Sequence, residues 1–177
     1  MKDKKELISL KGIEFPASAF KFKKLGDFLY HEGPLLSHFV NDKNDDFLAK
    51  WCDTDAEHHR WLIFKTSHLL LQAFFDRKIN LHDMVFQSPG EQVYFADIAA
   101  KAVWKRIFLV DKQDIPTEYL PLENSYFGET RFEEYALRLK TYLDVHFARQ
   151  QKVYETIEPE AAHVMEPPSD IAYQKKK

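Results

Sequence analysis

The run from Arg60 to Ile79 (RWLIFKTSHLLLQAFFDRKI) changes its side-chain period halfway along. Trp61, Ile63 and Phe64 sit in an aromatic and β-branched stretch, the composition of a half-buried strand. The stretch stops at Thr66-Ser67, whose hydroxyls can accept hydrogen bonds from the first free amides of a helix. From Leu69 the spacing becomes helical. Leu70, Phe74 and Lys78 share one face, with Leu71, Phe75 and Ile79 beside it. Asp76-Arg77-Lys78 falls near the expected end, and Asn80 is read as the C-terminal cap. A strand that feeds directly into a helix must fold against it. The expected class is therefore α+β, an antiparallel, meander-like sheet with a helix on one face.

The flanking segments fit that nucleus. Ile8 to Phe15 reads as an edge strand ended by Pro16, and Phe20 to Tyr30 as a strand broken near Gly26. Glu32-Gly33-Pro34 is a turn signal. Leu35 to Val40 alternates, with Leu36, His38 and Val40 on one face and Leu35, Ser37 and Phe39 on the other. A polar turn at Asn41 to Asp45 joins it to Phe47–Cys52 as a hairpin, and Asp53 to Glu57 leads on to the Trp61 strand. Beyond the helix, Leu81 to Phe86 reads as a further helical turn, with strands at Val93 to Ile98 and Val103 to Val110. Residues 111–129, with Pro116, Pro121 and Gly128, read as an ordered surface connection carrying Tyr119, Leu120 and Leu122.

Thr130-Arg131-Phe132-Glu133 fits a capping box that opens a long amphipathic helix over residues 130–157. Phe132, Ala136, Leu139, Leu143, His146, Gln150, Val153 and Ile157 alternate in steps of four and three, the spacing of a packing seam. One reading packs the first half on the sheet and lets the second fray. The other pairs the helix with its copy in a homodimer, with Phe132, Leu139, Leu143, His146 and Val153 as the interaction residues. The domain order expected is an extension over 1–19, the α+β core over 20–129, the helix, and a disordered tail over 158–177. That tail carries three prolines and a terminal Lys175-Lys176-Lys177, with a docking segment around Ile171 and Tyr173.

Composition removes several function classes. Only 5 glycines stand against a glycine-rich nucleotide loop, and a net charge of −3 supplies no global basic field for nucleic acid. The start, MKDKKELISLKG, lacks the apolar segment of a signal peptide, and no apolar run reaches the ~20 residues of a bilayer span. One cysteine, Cys52, allows no internal disulfide. A cytoplasmic protein without a cofactor is expected.

The reactive side chains form four clusters. His58 and His59 follow Asp53 and Asp55, donors that suit a divalent metal, yet adjacent strand residues point to opposite faces. A solvated turn is the plainer reading. His31, Glu32 and His38 flank the first hairpin as an acid–base candidate or as ordinary rim residues. Cys52 is read as a small buried thiol rather than a nucleophile. Lys21, Lys23 and Lys24, interleaved with Phe20 and Phe22, could track phosphates and stack bases, or could guard a sheet edge. No Walker loop, dinucleotide fingerprint or nucleophile elbow occurs.

The stretch from Phe20 to Phe127 resembles an uncharacterised family of small bacterial domains. The resemblance rests on Gly33-Pro34-Leu35-Leu36 opening a hairpin, on Trp51 and Trp61, and on Tyr119-Leu120-Pro121 closing the domain. It implies structural markers and no established activity. The expected function is a non-enzymatic protein-interaction module, an adaptor or inhibitor in a bacterial or phage cytosol. Host–phage conflict is a setting suggested by association. The alternatives are a metal-dependent hydrolase or nuclease and a nucleic-acid binder.

Overall fold

The computed structural model describes residues 5–164, with side chains as far as Val153. The chain divides into two units, Met1–Thr141 and Tyr142–Lys177. The first holds seven strands: β1 (Ile13–Pro16), β2 (Phe22–Tyr30), β3 (Pro34–Asn41), β4 (Asp46–Thr54), β5 (His58–Lys65), β6 (Gln92–Ala99) and β7 (Val103–Asp111). All pair antiparallel, in the order β1-β7-β6-β5-β4-β3-β2. The Trp61 strand, β5, is the middle one. The expected α+β meander is what the structure shows, with the first strand added at the far edge.

That last feature bends the sheet. β1 and β2 lie at opposite edges, yet only residues 17–21 join them. Laid flat, the sheet would separate the two by about 29 Å. The chain from Pro16 to Phe22 can reach only about 20 Å. The sheet therefore curls until its two edges approach, and it stays open between β1 and β2. Side chains meet across the curl. The Phe22 ring of β2 lies 5.7 Å from Trp104 of β7 and 5.9 Å from Tyr94 of β6, and Phe39 of β3 lies 5.9 Å from Trp104.

The concave face carries Phe47, Ala49, Trp61, Ile63, Ala96 and Ile107 as a buried core, with a shell of partly buried rings around it. Small residues sit opposite large ones, Ala49 across from Ile63 and Ala96 across from Trp61. This lets bulky rings fill a narrow curl without overpacking.

Helices cover the other face. α1 (His68–Phe75) is capped by Ser67, whose side chain accepts from the Leu70 amide. α1 ends earlier than its periodicity suggests, because Arg77 takes a left-handed conformation (φ 59°). Asn80 is not its C-cap. It is instead the N-cap of α2 (Leu81–Gln87), accepting from the Asp83 amide. Phe28 of β2 packs 5.3 Å from Phe75, and Phe132 lies 5.8 Å from Phe74 and 5.3 Å from Phe75. The 111–129 connection is ordered, but Tyr119 is a core residue, 1% exposed and 5.7 Å from the Phe95 ring.

The long helix, α3, spans Glu134–Val164 and so begins after Thr130. A 3-10 turn at Glu129–Arg131 comes first, and the Glu133 amide donates to the Phe28 carbonyl rather than closing a capping box. Phe132 consequently lies ahead of the helix. Tyr135 rests on β2 at Gly26, where an added Cβ would stand 2.2 Å from the ring. In the second unit the helix runs on past residue 158, where the tail was expected to begin. Ile171, Tyr173 and the terminal lysines lie outside the described residues. Leu139 is partly exposed, Leu143 buried, His146 partly exposed and Val153 55% exposed. His146 stacks on Tyr142 at 5.9 Å. Among the described residues no helix is long and apolar enough to cross a membrane.

Because the Tyr135 ring occupies the space above Gly26, we expect Gly26→Ala to lower stability by about 1–3 kcal/mol in urea unfolding. In a Tyr135→Ala background the same change should cost much less. Equal costs in both backgrounds would show that the ring does not rest there.

Candidate functional site at the mouth of the curled sheet

At one end the concave face is open. A cavity of about 560 Å³ lies there between two hairpin tips, Glu32-Gly33 of β2–β3 and Ala100–Ala102 of β6–β7. Trp51, Trp61 and Ile98 line it from the central strands, and Lys24 and Ser37 from the β2–β3 side. The β4–β5 register puts Trp51 directly opposite Trp61, so two indoles stand side by side. Trp61 is nearly buried at 9% exposure, whereas Trp51 is only partly covered. The volume suits a small organic molecule.

Both tips hold backbone that L-residues avoid. Glu32 (φ 53°), Lys101 (φ 60°) and Ala102 (φ 57°) are left-handed and line the cavity. Elsewhere the described left-handed non-glycine residues are Asn44 and Asn124, which tolerate it, and the helix-ending Arg77. Two consecutive left-handed residues make a tight hairpin, for which Asn-Gly would be the unstrained choice. Lys101-Ala102 therefore carries strain at the rim, the kind of place where strain often accompanies function.

The rim carries Lys24, Lys101, His31 and His59 with a single acid, Glu32. Lys24 Nζ lies 2.6 Å from Asp27 Oδ1, and the Ser37 hydroxyl donates to the same oxygen at 2.5 Å. Lys101 is exposed and makes no ion pair among the described residues. His31 is exposed, and Glu32 is the one acid that lines the cavity. The Trp51 indole N–H donates to His59 Nδ1 at 3.3 Å. In the neutral ring this leaves the His59 proton on Nε2, as a second donor at the rim.

The sequence candidates fall differently. Of Asp53, Asp55, His58 and His59, Asp55 and His58 meet, with His58 Nδ1 3.4 Å from Asp55 Oδ1, while Asp53 and His59 turn elsewhere. Asp55 accepts from the backbone N–H of Glu57 and of His58, at 2.8 and 2.6 Å; the Glu57 bond above all holds its carboxyl below the usual range. Asp53 accepts from the Thr54 amide and from Lys5, while His59 turns to Trp51. Among the described residues no group of three or more His, Cys, Asp or Glu could hold a metal ion. Beside Lys21, Lys23 and Lys24, the partly buried Phe22 packs against Phe47, Tyr94 and Trp104, and Phe20 against Tyr94. Lys21 and Lys23 are exposed, whereas Lys24 lines the mouth.

His31 and Glu32 are separated from His38, which faces the helices. His38 is 2% exposed, its Nδ1 2.8 Å from the Tyr135 hydroxyl and its Nε2 2.8 Å from Asp46 Oδ1. Burial, and then the Asp46 charge, push the Tyr135 phenol up to about 12. The Tyr–His–Asp row clamps the first turn of α3 onto β3. Sequence alone points to His38 but not to its partners, which lie 8 and 97 residues away. A second buried row joins β5, β6 and β7. Asp97 accepts from Arg60 Nε at 2.7 Å, Arg60 Nη2 at 2.8 Å and Arg106 Nε at 2.7 Å. Arg60 also donates to the Ile8 carbonyl, tying the N-terminal segment down.

Cys52 is partly exposed rather than the fully buried thiol expected; its Sγ lies near the carbonyl oxygens of Lys50 and Tyr119, and desolvation pushes the thiol up to about 11. At pH 8 roughly one native molecule in a thousand then carries a thiolate. A disulfide reagent at that pH should label the folded protein far more slowly than the urea-unfolded chain, which titrates one thiol. The stabilising effect of keeping this thiol neutral is complete below pH 9 and is lost as pH rises towards 11. Native labelling at pH 8 as fast as that of the unfolded chain would contradict the raised thiol pKa. No family model, curated protein or solved structure matches the chain.

Proposed function

We propose that the protein is a non-enzymatic interaction module, an adaptor or inhibitor that receives a protein partner across the tips framing its mouth. One observation carries this reading. Both strained tips that frame the cavity are flanked by exposed apolar side chains, Tyr30 (55%) beside Glu32-Gly33 and Val103 (46%) beside Ala100–Ala102. Exposed apolar groups around a recess are what a partner's surface can bury. The charged groups elsewhere add support in kind. His38, Asp46, Arg60, Asp97 and Asp55 are engaged in contacts that hold the fold together. A bacterial or phage cytosol remains the proposed setting, and a role in host–phage conflict is part of the same proposal.

A photo-crosslinking amino acid at Glu32 or at Ala100, introduced singly in bacterial cells, should yield a discrete protein adduct. The same probe at Leu122, 79% exposed and outside the mouth, should not. Tyr30→Asp with Val103→Asp should abolish the adduct while the protein still melts cooperatively. Adducts from Leu122 alone, or none from either tip, would refute the reading.

A further inference from the structure

We propose that the mouth of the curled sheet holds a small aromatic acid, its ring on the Trp51 indole and its anionic group at the Lys101 tip. The volume, about 560 Å³, fits a molecule of one to three fused or linked rings. The floor selects a flat apolar body. Trp51 is only partly covered and is steadied by its hydrogen bond to His59, while Trp61 beside it is nearly buried. A ring stacked on a fixed indole gains both buried area and offset π contact.

The rim selects the charge. Lys24 is matched by Asp27, so it adds little net field. Lys101 is a full positive charge with no ion partner among the described residues, and His31 and the Nε2 side of His59 add donors. A cationic ligand would need the opposite rim, an aromatic floor ringed by carboxylates, whereas Glu32 is the single acid lining the cavity. A neutral aromatic molecule would leave the Lys101 charge, unpaired among the described residues, unused. The tight Lys101-Ala102 turn holds the Lys101 backbone at the rim of the cavity, within side-chain reach of a bound anion.

This goes beyond the interaction reading and does not require it. The tips can meet a partner while the floor beneath holds the small molecule, and the two tests fail separately. The probe is 8-anilinonaphthalene-1-sulfonate, an aromatic anion, with uncharged N-phenyl-1-naphthylamine as its counterpart. The full chain should bind the anion at one saturable site, with emission excited through tryptophan. Lys101→Glu should weaken the anion about tenfold or more and change the neutral probe less than about twofold. Ala100→Trp, a plug at an exposed rim position, should abolish both signals. Each variant is scored only if its thermal melt matches that of the parent, and Lys101→Gln serves in place of Lys101→Glu should the latter not fold. Non-saturable binding, equal loss of both probes on Lys101→Glu, or survival of both in Ala100→Trp would overturn the assignment.

Discussion

Five residues between the outermost strands determine the shape of this protein. β1 and β2 occupy opposite edges of a seven-stranded sheet, and the short link between them cannot span a flat one. The sheet must curl, and the curl decides what each face is for. On the inside, Phe20 from that link and Phe22, Phe39, Tyr94 and Trp104 from strands far apart in the sheet pack against the buried core. At one end the β2–β3 and β6–β7 tips rise around Trp51 and Trp61 and leave space above them. The mouth is thus the unfilled remainder of the same curl that makes the core.

The outer face is held by more than apolar contact. Asp97 is fully buried and carries two guanidinium groups, one of them nearly buried itself. Such a cluster is weak evidence for stability, because desolvating the charges costs much of what their attraction returns. What it supplies here is register. Arg60, Asp97 and Arg106 sit on three adjacent strands and are directly paired in the ladder, so a slip of one residue would bury unpaired charges. His38 does comparable work between β3 and α3, through Asp46 on one side and Tyr135 on the other. Histidine, arginine and aspartate, the residue types that suggest catalysis in a bare sequence, are at these positions parts of the scaffold.

The local elements were legible in the sequence and the long-range ones were not. Alternation placed β2 through β7, the break in β2 near Gly26 coincides with a shift in pairing register, and Ser67 caps α1 as its hydroxyl suggested. Periodicity separates two faces of a strand but does not say which becomes concave. That depends on Ile13 pairing with Leu109, a contact no short window contains. Asn80 was misread because a cap residue serves the end of one helix or the start of the next equally well, and the left-handed Arg77 had already ended α1. Tyr119 looked like surface because prolines surround it, yet its hydroxyl accepts from the Ile8 amide and its ring lies under Arg60. The mouth was half visible: Gly33, Pro34, Leu35, Trp51 and Trp61 stood out as turn and core residues. Their convergence with Lys101 needed the curl.

The most direct measurement is of proximity across that curl. In a nuclear Overhauser spectrum of the folded chain, ring protons of Phe22 should show cross-peaks to the Trp104 indole, since the two ring centres lie 5.7 Å apart. The Trp104 indole should show a second set to Phe39, at 5.9 Å. A sheet curled until its two edges approach gives both sets. Their absence in a well-folded sample, with the β6–β7 pairing intact, would mean the edges stay apart, and with them would go both the aromatic core and the mouth.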